Sequence, residues 1–254
     1  MTGSPVNWIA HRGDPFRYPE NSLAGYRSAI AAGAKALEAD IHLSADGIPV
    51  LAHDDRLDRI SGVAANLLEL TWKQLQQIPA CHPARFGRKF SAMRFASLDQ
   101  FVELLESHPQ VTAFIEIKRK SLYRFGRGRC LRAVMERIKP VQSRVCIISF
   151  DAALIDEVMH LNSDANGVCG GWVILEWSEE CHQQAQALSP DYLFINIKRL
   201  PSGNDALWQG DWQWVLYNID NAASRDRYLS RGFHLFETNH IASMMHRTAP
   251  DEAV

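Results

Sequence analysis

The sequence predicts an α/β protein, a single (β/α)8 TIM barrel, and two observations lead to this prediction. Short apolar, β-branched runs alternate with helical patterns from one end of the chain to the other. This alternation is typical of parallel α/β folds, and a length of 254 residues suits the usual size of the barrel. A doubly wound open sheet is the alternative, but no GxGxxG motif follows any candidate strand.

Composition and periodicity predict nine strands and six helices. The nine candidate strands are Asn7–Ala10, Ala36–Leu43, Ile48–His53, Ala113–Lys118, Val145–Phe150, Gly170–Leu175, Tyr192–Ile197, Gln213–Ile219 and His234–Thr238. The helical patterns between them are Ser22–Ala32, Leu98–Glu106, Cys130–Ile138, Ala152–Met159, Cys181–Ala187 and Ala222–Arg231. A (β/α)8 barrel has eight strands, so one of the nine candidates lies outside the ring.

The extra strand is predicted to form an antiparallel hairpin with the second one. Asp46-Gly47 separates the two runs, and Asp-Gly is a strong hairpin signal. A two-residue loop would place Asp40 opposite His53, and a four-residue loop would place Glu38 there. In both registers the three side chains share one face. A three-residue loop, which Gly47 also permits, would break this arrangement.

The whole chain, residues 1–254, is expected to form one domain. Residues 54–112 are the least regular part, and we interpret them as an insertion over the barrel mouth. The terminal residues 248–254 are expected to form a loose tail.

Composition excludes several classes of protein. A net charge of −2 argues against general nucleic-acid binding. The chain has no signal-peptide pattern and no apolar run long enough to span a membrane. Its five scattered cysteines form no CxxC pair, so a reducing, cytoplasmic location is the simplest expectation.

Polar residues interrupt the strands where a barrel carries its active site, the carboxyl ends. His11-Arg12 follows the first strand, and this pair suits a phosphate ester because Arg can clamp two oxygens while His transfers a proton. The alternative is a hydrogen-bonded His beside a surface Arg. Glu20 and Asn21 precede a helix, where Asn21 or Ser22 could cap the helix and Glu20 could support the site.

Glu38 and Asp40 share one face of an apolar strand, and Glu116 and Lys118 do the same on a later strand. Buried carboxylates are costly unless they are paired or bind a cation, and oxygen ligands suit Mg²⁺ or Ca²⁺. The alternative is a set of structural ion pairs with Lys or Arg. His53 is the second candidate for proton transfer, since two imidazoles can divide the acid and base roles.

A basic segment, residues 118–132, follows the strand that carries Glu116. It contains seven Lys or Arg residues and no acid. We expect a loop at the barrel mouth that attracts anionic head groups or makes transient contact with an anionic membrane. A solvated loop that only aids solubility is the alternative.

These motifs resemble the glycerophosphodiester phosphodiesterase family. The resemblance lies in HRG, PENS, the run GAKALEADIHLSADGIPVLAHD and the later FIEIK, and weaker similarity extends over most of the chain. It implies a barrel that hydrolyses glycerophosphodiesters to glycerol 3-phosphate and an alcohol. It also assigns site roles: His11 and His53 as acid and base, Glu38, Asp40 and Glu116 as divalent-metal ligands, and Arg12 and Lys118 as phosphate contacts.

The chain departs from the family pattern at two places. Thr238-Asn239 replaces the usual Thr-Asp pair near the last strand, and Arg59-Ile-Ser-Gly62 lacks the usual Thr-rich loop. The alternatives for function are lysophospholipase D activity, with tryptophans lining an acyl pocket, a phosphoinositide-cleaving lyase, and a non-catalytic phosphodiester-binding protein.

Overall fold

Eight parallel strands close into a barrel in the computed structural model, which describes residues 7–161, 167–201 and 206–246. β1 pairs with both β2 and β9, and this closes the ring. The TIM barrel prediction is confirmed; the expected tail, 248–254, lies outside the described residues. The strands are β1 (Asn7–Ala10), β2 (Ala36–Leu43), β3 (Pro49–Leu51), β4 (Thr112–Ile117), β5 (Val145–Ser149), β6 (Cys169–Ile174), β7 (Tyr192–Asn196), β8 (Gln213–Tyr217) and β9 (Leu235–Thr238).

Helices follow most of the barrel strands. None of the helices within the described ranges is both long and apolar enough to cross a membrane. They are α1 (Leu23–Ala31), α2 (Asp58–Ser61), α3 (Trp72–Leu75), α4 (Pro83–Phe86), α5 (Leu98–Glu106), α6 (Arg119–Phe125), α7 (Arg127–Ile138), α8 (Ala152–Leu161), α9 (Glu179–Leu188), α10 (Ala222–Leu229) and α11 (Ile241–His246), with 3-10 turns at Leu67–Glu69, Lys139–Arg144 and Ile197–Arg199.

The inside of the barrel is filled by apolar side chains from alternate strand positions. Ile9, Phe114, Ile148, Phe194 and Val215 are among the buried residues of this cluster. Side chains two residues further along a strand point the same way. The polar groups at the carboxyl ends of β1, β2 and β4 therefore lie next to this buried apolar cluster.

The β2–β3 hairpin forms as predicted, but the predicted register is wrong. Ile41 faces Leu51 and Leu43 faces Pro49, so the loop contains three residues. Gly47 adopts a positive φ of 83° in this loop, which is the usual geometry of a three-residue hairpin. The backbone carbonyl of Asp40 consequently accepts a hydrogen bond from the backbone N–H of Ala52. Asp40 is therefore not opposite His53, which follows the end of the strand.

Residues between β3 and β4 form short helices around an apolar cluster of their own. This second cluster includes Leu57, Ile60, Leu67, Leu75 and Phe95. The segment also contacts the loop after β1. The ring of Phe90 lies 5.6 Å from that of Tyr18, and Arg85 donates to the carbonyl of Phe16.

The basic segment 118–132 is helical, so the expectation of a loop there is wrong. It forms α6 and the first half of α7, which are separated at Gly126 (φ 84°). Lys, Arg and Leu are good helix formers, and this propensity is consistent with the observed helices.

Candidate active site

The loop after β1 is folded tightly against helix α1. Gly13 has a φ of +88°, and a Cβ at this position would lie 2.9 Å from backbone atoms of Gly25 and Tyr26. Only glycine fits both the conformation and the close approach. Arg12 also has a positive φ, and its backbone N–H donates to Glu38 Oε2 at 2.9 Å. The strained turn thereby joins the His11-Arg12 pair to β2.

Three buried carboxylates meet at the carboxyl ends of β2 and β4. One oxygen from each of Glu38, Asp40 and Glu116 lies within 4.8 Å of the others. Burial, together with the charge of Asp40, raises the pKa of Glu38 well above its ordinary value. A divalent cation among these oxygens would relieve that repulsion, and hard oxygen donors suit Mg²⁺ or Ca²⁺. The residues present therefore fit such an ion.

Two cationic side chains border the carboxylates. Arg12 Nε lies 3.0 Å from Asp40 Oδ2, and Lys118 Nζ lies 3.2 Å from Asp40 Oδ1. Lys118 also contacts Glu116 at 2.8 Å. Burial alone would raise the pKa of Asp40, but Arg12 and Lys118 hold it well below its ordinary value. The site thus places two cations beside a cluster that stays partly ionised.

His11 is buried and fixed from the side of β9. Its Nδ1 lies 2.9 Å from Asn239 Oδ1 and 2.7 Å from the amide nitrogen of Asn218. Asn239 in turn donates from Nδ2 to Asp220 at 3.0 Å, which orients the amide oxygen toward His11. His11 Nε2 lies 4.0 Å from Glu38. Burial, and then the charge of Arg12, lower the pKa of His11 to about 3.

His53 reaches the site from the other side, on the chain that leaves β3. It lines a cleft of about 250 Å³ that Glu116 and Lys118 also line. Its Nδ1 lies 2.6 Å from Asp54 Oδ1. Asp54 receives a hydrogen bond from Arg59 Nε at 2.7 Å, and the same guanidinium donates twice to Glu20, at 2.7 Å each. Arg59 therefore connects Asp54, which contacts His53, to Glu20.

The two supporting residues expected from the sequence lie in the second layer of contacts. Glu20 contacts Arg12 at 3.3 Å. The amide of Asn21 donates to Asp40 Oδ2 at 2.8 Å and accepts from Tyr26 Oη and from the Asp40 backbone. Ser22, and not Asn21, caps helix α1. The structure thus brings every predicted site residue into one neighbourhood.

Sequence reasoning missed Glu237 on β9. This residue pairs with Ile9 in the sheet and is 3% exposed, and its Oε1 finds no hydrogen-bond donor among the residues that the structure describes. Burial and the charges of Glu116 and Asp40 raise its pKa to about 8. A carboxylate within the apolar pattern of a strand was the available signal, as it was for Glu38. Arg59 and Asn218 were also missed. Arg59 lies in a short helix of the irregular segment, and Asn218 directly follows the end of β8, where a polar residue does not stand out.

Three of the tryptophans lie away from this site. Trp208, Trp212 and Trp214 border a different cleft, beside Asn7 and Leu235. Asn7 and Leu235 are the first residues of β1 and β9, so this cleft lies at the amino ends of the barrel strands, away from the carboxylate cluster. An acyl-chain pocket built from these tryptophans at the site has no support in the structure.

Comparison with known proteins agrees with this picture. A sequence model of the glycerophosphoryl diester phosphodiesterase family matches residues 11–242. A glycerophosphodiester phosphodiesterase of Caldanaerobacter subterraneus is 30% identical over 192 residues, which is 74% of this chain and 76% of that protein. Glycerophosphodiester phosphodiesterase 1 of Mus musculus is 35% identical over 113 residues, 44% of this chain and 34% of that protein.

Solved structures share the fold. A protein described as a glycerophosphoryl diester phosphodiesterase from Silicibacter pomeroyi superposes with a TM-score of 0.81 at 19% identity, covering 96% of this chain and 93% of that one. A phosphodiesterase of Oleispira antarctica, solved with the product sn-glycerol-3-phosphate, gives 0.80 at 20% identity, with 95% and 96% covered. Together with the family match over most of the sequence, the barrel and its carboxylate cluster place this chain in the glycerophosphoryl diester phosphodiesterase family.

Proposed function

We propose that this protein hydrolyses glycerophosphodiesters to glycerol 3-phosphate and an alcohol. The observation that carries the proposal is the meeting of two imidazoles, three buried carboxylates and two cations at one end of the barrel. Membership of the family, and a relative named for this activity, support it further.

In this proposal His11 and His53 divide the proton transfers, and Arg12 and Lys118 contact the phosphodiester. Glu38, Asp40 and Glu116 would hold Mg²⁺ or Ca²⁺, and such an ion would neutralise charge on the phosphoryl oxygens. One imidazole accepts the proton of the glycerol 2-hydroxyl as its oxygen bonds to phosphorus. The other donates a proton to the departing alcohol oxygen. Water then opens the cyclic phosphate.

The test is to incubate the protein with glycerophosphocholine and related diesters, with and without a chelator, and to quantify glycerol 3-phosphate. We expect product that disappears when the chelator is present and returns with added cation. Absence of product from every diester and cation would contradict the enzyme proposal, as a silent binding protein requires. Accumulation of the cyclic phosphate alone would indicate a lyase.

Contact between the basic segment and anionic membranes stays a prediction. Arg124, Arg127 and Arg129 project from α6 and α7, although Arg127 already pairs with Asp151 at 2.8 Å. Changing these three arginines to Glu should lower binding to anionic vesicles and the salt dependence of turnover. Unchanged vesicle binding would contradict this prediction.

A further inference from the structure

The cleft beside His53 is lined both by the carboxyl end of β4 and by the first residues of helix α6. One part of its wall consists of His53, Glu116 and Lys118, and the other includes Arg119, Lys120 and Phe150. A substrate whose phosphodiester lies against Lys118 would direct one of its two halves into this space. Arg119, Lys120 and Phe150 are therefore placed to contact that half.

Each carboxylate in the cleft already has a cationic partner. Asp54 is bound by Arg59 at 2.7 Å, Asp55 contacts Lys120 at 2.5 Å, and Glu116 contacts Lys118 at 2.8 Å. In the described part of the chain, Arg119 has no ion-pair partner within 4.0 Å. It is the cation of this cleft that is left without a counter-charge.

Arg119 is held in place even without an ion pair. Its guanidinium carbon lies 5.3 Å from the centre of the Phe150 ring, a cation–π contact that orients the group. It is the first residue of α6, directly after Lys118, and it is half-buried. By contrast, Arg124 and Arg129 lie over Phe125 and do not line the cleft.

We propose that Arg119 binds a second negative charge on the substrate and so selects glycerophosphodiesters whose alcohol half is anionic. The glycerol half carries only hydroxyl groups beyond the shared phosphodiester, so the extra charge must belong to the alcohol. A phosphate or carboxylate suits the planar donors of a guanidinium. This inference rests on the proposed function and specifies its substrate class.

The test compares two substrates that differ by one phosphate, glycerophosphoinositol and glycerophosphoinositol 4-phosphate. Hydrogen bonds to charged groups correspond to an effect of about tenfold to a hundredfold. We expect the wild-type kcat/KM to be at least about tenfold higher for the phosphorylated diester. In Arg119→Met this preference should vanish, because only the value for the phosphorylated diester falls.

Arg27→Met is the matched control, since it removes an exposed arginine of helix α1 that does not line the cleft, and it should keep the wild-type preference. Thermal unfolding of both variants checks that the barrel is intact. Equal rates for the two diesters in the wild type, or an unchanged preference in Arg119→Met, would overturn the inference. An equal loss for both diesters would also overturn it.

A binding measurement separates this inference from the proposed function. Calorimetric titration with inositol 1,4-bisphosphate and inositol 1-phosphate should give tighter binding of the bisphosphate, and Arg119→Met should remove the difference. If no diester is hydrolysed, the proposed function fails, while the titration still decides whether Arg119 binds the second anion. Equal affinities in the wild type would exclude such a subsite.

Discussion

His11 Nδ1 contacts the side-chain oxygen of an amide, and not a carboxylate, in this chain. Asn239 Oδ1 lies 2.9 Å from His11 Nδ1, and Asp220 stands one step further away, bonded to Asn239. An uncharged acceptor stabilises the imidazolium less than a carboxylate does. This is consistent with the low pKa of His11, about 3, which burial lowers first and Arg12 lowers further. His11 is therefore neutral at neutral pH.

Replacing Asn239 by Asp should raise the pKa of His11 by about one unit or more, because an adjacent negative charge favours the imidazolium. The limb of the pH profile of kcat/KM that reports on His11 should move to higher pH, and an NMR titration of the imidazole should show the same shift. The double change Asn239→Asp with Asp220→Asn keeps a single carboxylate at this edge. Superimposable profiles for the wild type and both variants would contradict the assignment.

Removing either imidazole should abolish most of the activity. We expect His11→Ala and His53→Ala each to lower turnover by at least about a hundredfold, the lower range for general acid–base groups. His160→Ala, on the exposed surface of α8, is a control that should retain activity. Near-normal turnover in His11→Ala or His53→Ala would remove that residue from its proposed role.

At the scale of elements, Arg59 joins the segment after β3 to the catalytic loops. It belongs to helix α2 and bonds both Asp54, which holds His53, and Glu20, which contacts Arg12. We expect Arg59→Met to lower kcat by about tenfold or more through lost orientation of these groups. The measurement is a double-mutant cycle with His53→Ala.

If Arg59 acts through His53, its replacement should have little further effect in the His53→Ala background. Fully additive losses would show that Arg59 acts by another route, such as Glu20. Arg56→Met is the matched control, because Arg56 is an exposed arginine of the same segment whose one ion pair within the described part of the chain is with Asp58. It should leave kcat unchanged.

The barrel strands were predictable because their apolar runs are separated by clear breaks in pattern. Each of the nine expected strands overlaps an observed one, from Asn7–Ala10 to Leu235–Thr238. The register of the β2–β3 hairpin was not predictable in the same way. Asp46-Gly47 is compatible with loops of different length, and the three-residue loop depends on the positive φ of Gly47 and on Ser44, which bonds Asp46 and Ile48.

The same limit applies to the site. Carboxylates in apolar strands, such as Glu38 and Glu116, are visible as interruptions of a pattern, and Glu237 could have been found by the same signal. Arg59 lies in the irregular segment, and Asn218 is a single polar residue at the end of an apolar run. Only the folded chain brings Arg59 to Asp54 and Asn218 to His11. The register error did not displace His53, because its position depends on the chain beyond β3.

At the scale of the whole molecule, the carboxylate cluster links cation binding to stability. A ligand that binds only the folded state stabilises it by about 2.7 kcal/mol at a hundredfold excess over its Kd. For a chain of this size we expect Mg²⁺ or Ca²⁺ to raise the Tm by about 5 to 10 °C. Differential scanning calorimetry with and without chelator measures this.

Glu38→Gln should remove the effect of the cation without lowering the Tm of the metal-free protein. The neutral amide can still accept from the backbone of Arg12, and it removes a buried charge that Asp40 repels. Glu103→Gln, on the exposed face of α5, should respond to the cation like the wild type. A full shift in Glu38→Gln would contradict cation binding at this cluster.

The segment after β3 has an apolar cluster separate from the two clusters of the barrel. Parts of a protein with their own packing can open as independent cooperative units. Since this segment carries Asp54 and Arg59, its opening would release His53 while the barrel stays folded. Heating should then cause a reversible inactivation below the melting temperature, with amide protons around Leu57 and Leu67 exchanging before those of the barrel strands.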